Sequence, residues 1–122
     1  MRASLDGILV IDTNGRFMEV SDAYCRMVGY TREELLSMSA ADVEATQSPE
    51  GVHKRMQEVY KTGRARFRTG HRRKDGAIVE LDISTTYLEV LRERFFLAIV
   101  REVAPPRGGV PPACGGESLP DA

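Results

Sequence analysis

Residues Arg64–Tyr87 read Arg-Ala-Arg-Phe-Arg-Thr-Gly-His-Arg-Arg-Lys-Asp-Gly-Ala-Ile-Val-Glu-Leu-Asp-Ile-Ser-Thr-Thr-Tyr. Residues alternate in character on both sides of Lys74-Asp75-Gly76, the pattern of two strands joined by a Gly-ended turn. Arg64, Arg66, Arg68 and Arg72 fall on one face, and Ala65, Phe67, Thr69 and His71 on the other. The first face seeks water or a charged partner; the second seeks a core or a pocket. A two-residue Asp75-Gly76 loop would set Arg68 against Ile83 and Arg72 against Val79, mixing the faces. A three-residue loop with Gly76 left-handed sets Arg73 against Ala77. Phe67 then meets Ile83, Arg68 meets Asp82, Thr69 meets Leu81 and His71 meets Val79. A one-residue slip would bury the charges, so the three-residue loop is predicted. The arginine face reads as solvated, with Arg68 paired to Asp82 and Glu80, in preference to a docking face for an acidic partner.

Outward from the hairpin, Glu89–Arg94 reads as a charged connector, and Phe95–Val100 as a strand apolar on both faces. Upstream, Ser48 and Pro49 open a helix whose apolar stripe is Val52, Met56, Val59 and Tyr60, and which Gly63 ends. Ser39–Gln47 is a loop or a single turn. Thr31-Arg-Glu-Glu34 is a capping box, with Tyr30 and Leu35 placed as a hydrophobic staple, and that helix is expected to end near Met38. Ser21 caps a helix through Gly29. Ile8–Ile11 is a second run apolar on both faces, and Asn14-Gly15 signals a two-residue hairpin with Arg16–Val20 returning. The predicted order is ββαααβββ. The runs 8–11 and 95–100 belong at the centre of an antiparallel sheet, with helices on one face.

The 122 residues suit one domain, with 42% hydrophobic and 29% charged composition typical of a globular fold. A net charge of −1 gives no global field toward nucleic acid or a membrane surface. No apolar run is long enough to span a membrane, and no secretory signal opens the chain. Cys25 and Cys114 read as reduced thiols of a cytoplasmic protein. The chain divides into a lead at 1–6, a folded domain at 7–103, and a tail at 104–122. Five of the six prolines lie in that tail, which is expected to be disordered.

These residues resemble the PAS domain family. Asp6–Gly15 resembles the family's opening hairpin, and Ala23–Leu36, with Gly-Tyr before a capped Glu-Glu-Leu, its first helices. Lys61-Thr62-Gly63 is similar to the end of its long helix. Arg72–Gly76 with the following Glu80-Leu-Asp-Ile-Ser84 is similar to its C-terminal hairpin. Ser21 stands where the family usually has Asn, and Arg101-Glu-Val-Ala-Pro-Pro106 replaces its usual Asp-Ile-Thr ending. The resemblance implies an α+β fold, a five-stranded antiparallel sheet in order 2-1-5-4-3 with helices on one face. It implies a sensory signal-transduction module, of the kind found in bacterial regulators. Such a module binds a small ligand or cofactor, dimerises, or both, and regulates an output such as a histidine kinase, cyclase or transcription regulator. The alternative is a ligand-free dimerisation or protein-interaction domain.

A ligand between helices and sheet would be lined by Tyr24, Met27, Leu35, Val52, Met56, Phe67, Thr69, Leu81, Ile83 and Thr85, with the two threonines supplying polar contacts. The same residues could equally close into a core. The outer sheet face, carrying Ile8, Val10, Phe95, Leu97 and Ile99, is expected to be covered by a second copy in a homodimer. Haem sensors of the family use a histidine on the long helix, but His53 lies further along that helix than their ligand, which disfavours haem. Light-sensing relatives carry a cysteine where Leu36–Thr46 has none, which disfavours a flavin adduct. His53 and His71 have no metal-ligand spacing. No catalytic motif is present, and the chain is expected to be non-enzymatic.

Overall fold

The two runs apolar on both faces meet at the centre of one sheet. The computed structural model describes residues 6–103; residues 1–5 and the tail at 104–122, with Cys114, lie outside the described residues. The elements are β1 (Gly7–Ile11), β2 (Phe17–Val20), α1 (Asp22–Val28), α2 (Arg32–Leu35), α3 (Ala40–Val43), α4 (Pro49–Thr62), β3 (Arg64–Arg72), β4 (Ile78–Val90) and β5 (Glu93–Glu102). The sheet is antiparallel in order β2-β1-β5-β4-β3, as expected. Ile8 pairs with Ile99 and Val10 with Leu97. Period-two alternation then separates the faces. Leu9, Ile11, Phe96, Ala98 and Val100 join the buried core with Tyr24, Val28, Leu35, Val43 and Val59 from the helical side. Ile8, Val10, Phe95, Leu97 and Ile99 stay on the outer face, where Ile8 is 44% exposed.

The β3–β4 hairpin has the predicted register, with Phe67 opposite Ile83, Thr69 opposite Leu81 and His71 opposite Val79. The Arg73 amide donates to the Ala77 carbonyl at 2.7 Å, and Gly76 is left-handed at φ 94°. One detail differs. Arg68 lies opposite Asp82, but Arg66 holds that carboxylate, donating through Nε at 3.0 Å and Nη2 at 2.6 Å. Strand twist brings this diagonal neighbour within reach.

The first hairpin differs in its turn. A two-residue Asn-Gly turn needs positive φ at both residues, and here only Gly15 has it, at 88°. The loop is instead Thr13–Gly15, closed by the Asp12 amide donating to the Arg16 carbonyl at 2.9 Å. The Asp12 carboxylate accepts from the amides of Asn14 and Arg16, which fixes the longer loop. Arg16 consequently leaves the strand and bridges to Ser39.

Glu89–Arg94 is not a connector. β4 runs to Val90 and β5 starts at Glu93, leaving a two-residue turn at Leu91-Arg92 with φ of 51° and 70°. That is the mirror-image turn that matches strand twist, made by two residues that disfavour left-handed backbone. Leu91 is 92% exposed, so no packing offsets the strain. Replacing Leu91-Arg92 by Asn-Gly is expected to stabilise the fold by about 1–2 kcal/mol. In thermal unfolding, Tm should rise by about 5 °C or more; an unchanged or lower Tm would refute the turn strain.

Sequence-coded caps set the helix ends. Ser21 and Ser48 accept from the Tyr24 and Gly51 amides, and Gly29 and Gly63 close α1 and α4. The Thr31–Glu34 capping box is present. α2 stops at Leu35 instead of near Met38: Ser37 and Met38 tighten into turns, donating to the Glu34 and Leu35 carbonyls at 3.2 and 2.9 Å, and the Met38 carbonyl then accepts from the Phe17 amide at 3.1 Å beside β2. The stretch expected as a loop or single turn contains α3.

Candidate functional site

The site begins at the end of α3, where Glu44 turns into extended backbone and bridges His71 on the edge of β3. The Ala45 amide donates to the Gly70 carbonyl at 2.8 Å, fastening the loop to the strand. Gly70 makes the approach possible, since a Cβ there would lie 2.8 Å from Ile78 Cγ2 and 3.3 Å from Thr46 Cγ2. This docking turns the Glu44 side chain inward, where it is 3% exposed.

A buried carboxylate requires donors. Glu44 Oε2 accepts from the Thr69 hydroxyl in a short bond, from the Thr46 hydroxyl at 2.9 Å, and from the Thr46 amide at 3.1 Å. Arg55 of α4 approaches Oε1 through Nη1 at 3.4 Å, and its guanidinium lies 4.0 Å above the centre of the Phe67 ring. Burial pushes the Glu44 carboxyl up, but the Thr69 hydroxyl and the Thr46 amide and hydroxyl, with a contribution from His71, hold it below its ordinary value.

His71 lies beside the carboxylate and is almost fully buried. Its Nδ1 is 2.8 Å from the Tyr24 hydroxyl. Burial drives the Tyr24 phenol strongly upward, so it keeps its proton as a donor. Burial, with Arg55 nearby and against the pull of Glu44, lowers His71 to about 4. The ring is therefore neutral near pH 7. With Nδ1 accepting from Tyr24, the assigned tautomer carries its proton on Nε2, 4.0 Å from Glu44 Oε1.

Two spaces adjoin this cluster. An inner cavity of about 50 Å³ is lined by Glu44, Arg55, Phe67, His71, Ile83 and Thr85, among others. An open cleft of about 440 Å³ lies between α4, the β1–β2 turn and the β4–β5 arm, with Asn14, His53, Tyr60, Tyr87 and Arg94 on its walls. Ala40, Val52 and Met56 line both spaces.

The structure thus brings together only part of the lining expected from sequence. Val52, Met56, Phe67, Ile83 and Thr85 line the inner cavity. Tyr24, Leu35 and Leu81 are fully buried and line neither space. Met27 lines a separate shallow recess with Ala23, Arg26 and Arg73. Thr69 is engaged by Glu44. His53 is an exposed wall residue of the cleft, and Cys25 is half-buried on α1. Sequence reading missed Glu44, Thr46 and Arg55 and gave His71 no role. The one available signal was a histidine at a core-facing strand position, since a buried imidazole demands a partner.

Among the described residues no group of three His, Cys, Asp or Glu could hold a metal ion, and no helix is long and apolar enough to cross a membrane. The sequence model of the PAS fold matches residues 1–103. The chain belongs to the PAS family. This PAS domain is similar to one from a two-component sensor histidine kinase, with 32% identity and a TM-score of 0.73 over 82% of this chain and 86% of the other. It is also similar to the PAS domain of an HTR-like protein from Haloarcula marismortui, with 27% identity and a TM-score of 0.76 over 82% and 83% of the two chains. In sequence it is 23% identical over 87 residues to a methyl sulfide methyltransferase-associated sensor of Methanosarcina acetivorans. That match covers 71% of this chain but only 9% of the sensor's length. The PAS domain is a sensory module of signal transduction.

Proposed function

We propose that this PAS domain is a non-catalytic, cytoplasmic sensor that holds a small molecule between α4 and the sheet and relays its occupancy to an output domain such as a histidine kinase. The observation that carries this reading is the 440 Å³ cleft, which shares a wall with a mostly apolar inner cavity that carries a few polar side chains. Ligand sites typically occupy about 300–1,000 Å³ and combine apolar walls with a few polar groups. No cysteine lines either space, which speaks against a photosensory flavin adduct. A second reading, dimerisation, is supported by the outer face around Ile8, Val10, Leu97 and Ile99, whose apolar side chains are half-buried or exposed.

Native mass spectrometry of the purified chain reads both properties at once. A small mass released on denaturation is expected, and a two-copy mass would support the outer-face dimer. Met56→Trp, which fills the shared wall, is expected to remove the small mass while leaving the fold intact by circular dichroism. A bare protein mass from every preparation would overturn the sensing reading in favour of pure interaction.

A further inference from the structure

The inner cavity is lined by a donor that has no acceptor among the described residues. His71 is 5% exposed, its Nδ1 is engaged by the Tyr24 hydroxyl at 2.8 Å, and its ring lines the cavity. Nε2, which carries the remaining proton, is 4.0 Å from Glu44 Oε1, beyond hydrogen-bond length. It has no hydrogen-bond partner among the described residues. Buried donors are almost always satisfied, so this position calls for an acceptor.

The charge around that position restricts the acceptor. Glu44 and Arg55 both line the cavity and offset one another. An anionic head would meet the Glu44 carboxylate, and a cationic head the Arg55 guanidinium. A neutral oxygen meets neither penalty. Phe67 and Ile83 make the adjoining wall apolar, and Thr85 adds a hydroxyl to it. At about 50 Å³ the cavity holds only a head group or one water, so the body of a ligand must lie in the cleft. Of the residues shared by the two spaces, Met56 is the adaptable one, being unbranched with three rotatable bonds. A swing of its thioether would join them.

We infer that the site takes an apolar ligand ending in an uncharged carbonyl oxygen, accepting from His71 Nε2 inside the cavity while its body fills the cleft past Met56. The inference rests on the sensing reading above and adds the chemical class of the ligand and the residue that selects it.

Three naphthalene probes of one shape test it: 2-acetylnaphthalene with a neutral carbonyl, 2-isopropylnaphthalene with no acceptor, and 2-naphthoate with a charged one. Binding is followed by chemical-shift titration of the intact chain. The ketone is expected to bind about tenfold tighter than either of the others, the worth of one neutral buried hydrogen bond. In His71→Phe its advantage over the hydrocarbon should vanish. In the wild-type chain, which needs no variant to fold, the His71 Nε2 resonance should move with the ketone and stay still with the hydrocarbon. Equal binding of ketone and hydrocarbon would overturn the head-group assignment and leave a ligand-binding cleft standing. Tighter binding of naphthoate would overturn the uncharged class. No shift with any probe would overturn the inference, whereas the sensing reading falls only if native mass spectrometry also finds no small mass.

Discussion

Glu44→Ala is expected to lower the unfolding free energy by about 3–5 kcal/mol, the usual cost of removing one partner from a buried charged cluster. The loss has several parts. The buried Thr69 hydroxyl would lose the carboxylate and keep only the Thr46 hydroxyl, 2.8 Å away, while the amide of exposed Thr46 turns to water. Arg55 would lose its carboxylate while its guanidinium stayed over Phe67. A domain of this size has roughly 5–15 kcal/mol of stability in total, so the variant would stand near the limit of folding. Glu44→Gln keeps an acceptor oxygen and should lose clearly less. Urea unfolding at pH 7 measures both. A loss under about 1 kcal/mol for the alanine variant would mean that the loop carrying Glu44 is not docked as described.

The second large effect is a fall in stability between about pH 6.5 and pH 4. His71 titrates near 6.5 when unfolded but only at about 4 in the fold, where burial opposes its charge. In that window the unfolded chain binds a proton that the folded chain refuses. Stability is therefore complete above pH 6.5 and is lost as pH falls toward 4, by an amount on the order of 3 kcal/mol. The groups facing the ring are Tyr24 from α1, Glu44 beyond α3 and Arg55 from α4. Glu44, held below its ordinary 4.5, adds a further loss at lower pH, as its folded carboxylate takes up a proton. Unfolding curves at pH 7, 6, 5 and 4 should show the first loss in the wild-type chain and a clearly smaller one, confined to the carboxylate range near pH 4, in His71→Phe. Parallel profiles for the two chains would refute it.

Chain order, sheet order and the β3–β4 register were legible because alternation and caps are local properties. Thr31, Ser48 and Gly76 each write their structure into adjacent residues. The turn at Leu91-Arg92 was not legible, because neither residue prefers the backbone it adopts; strand pairing on both sides imposes it. The candidate site was half legible. Period-two alternation brought Phe67, Ile83 and Thr85 to the correct face, but it could not separate cavity walls from filled core such as Leu81 and Tyr24. Glu44 was invisible for a different reason. Its inward position depends on a backbone contact to Gly70, 26 residues further along the chain, and nothing in Ala40–Thr46 announces that contact.

The segment from Met38 to Ala45 also governs what the sheet can join. At one end the Met38 carbonyl and Ala40 amide bond to Phe17 and Gly15 beside β2; at the other the Ala45 amide bonds to Gly70 on β3. β2 and β3 are the two outermost strands. A single short strap therefore occupies backbone positions on both rims, and the rest of β3 presents arginines, which discourage a foreign strand from adding on. The side chain that would hold the ligand's surroundings in place is thus carried by the same segment that keeps copies of the domain from polymerising edge to edge. Undocking that strap would free backbone groups on both rims and open the pocket at the same time.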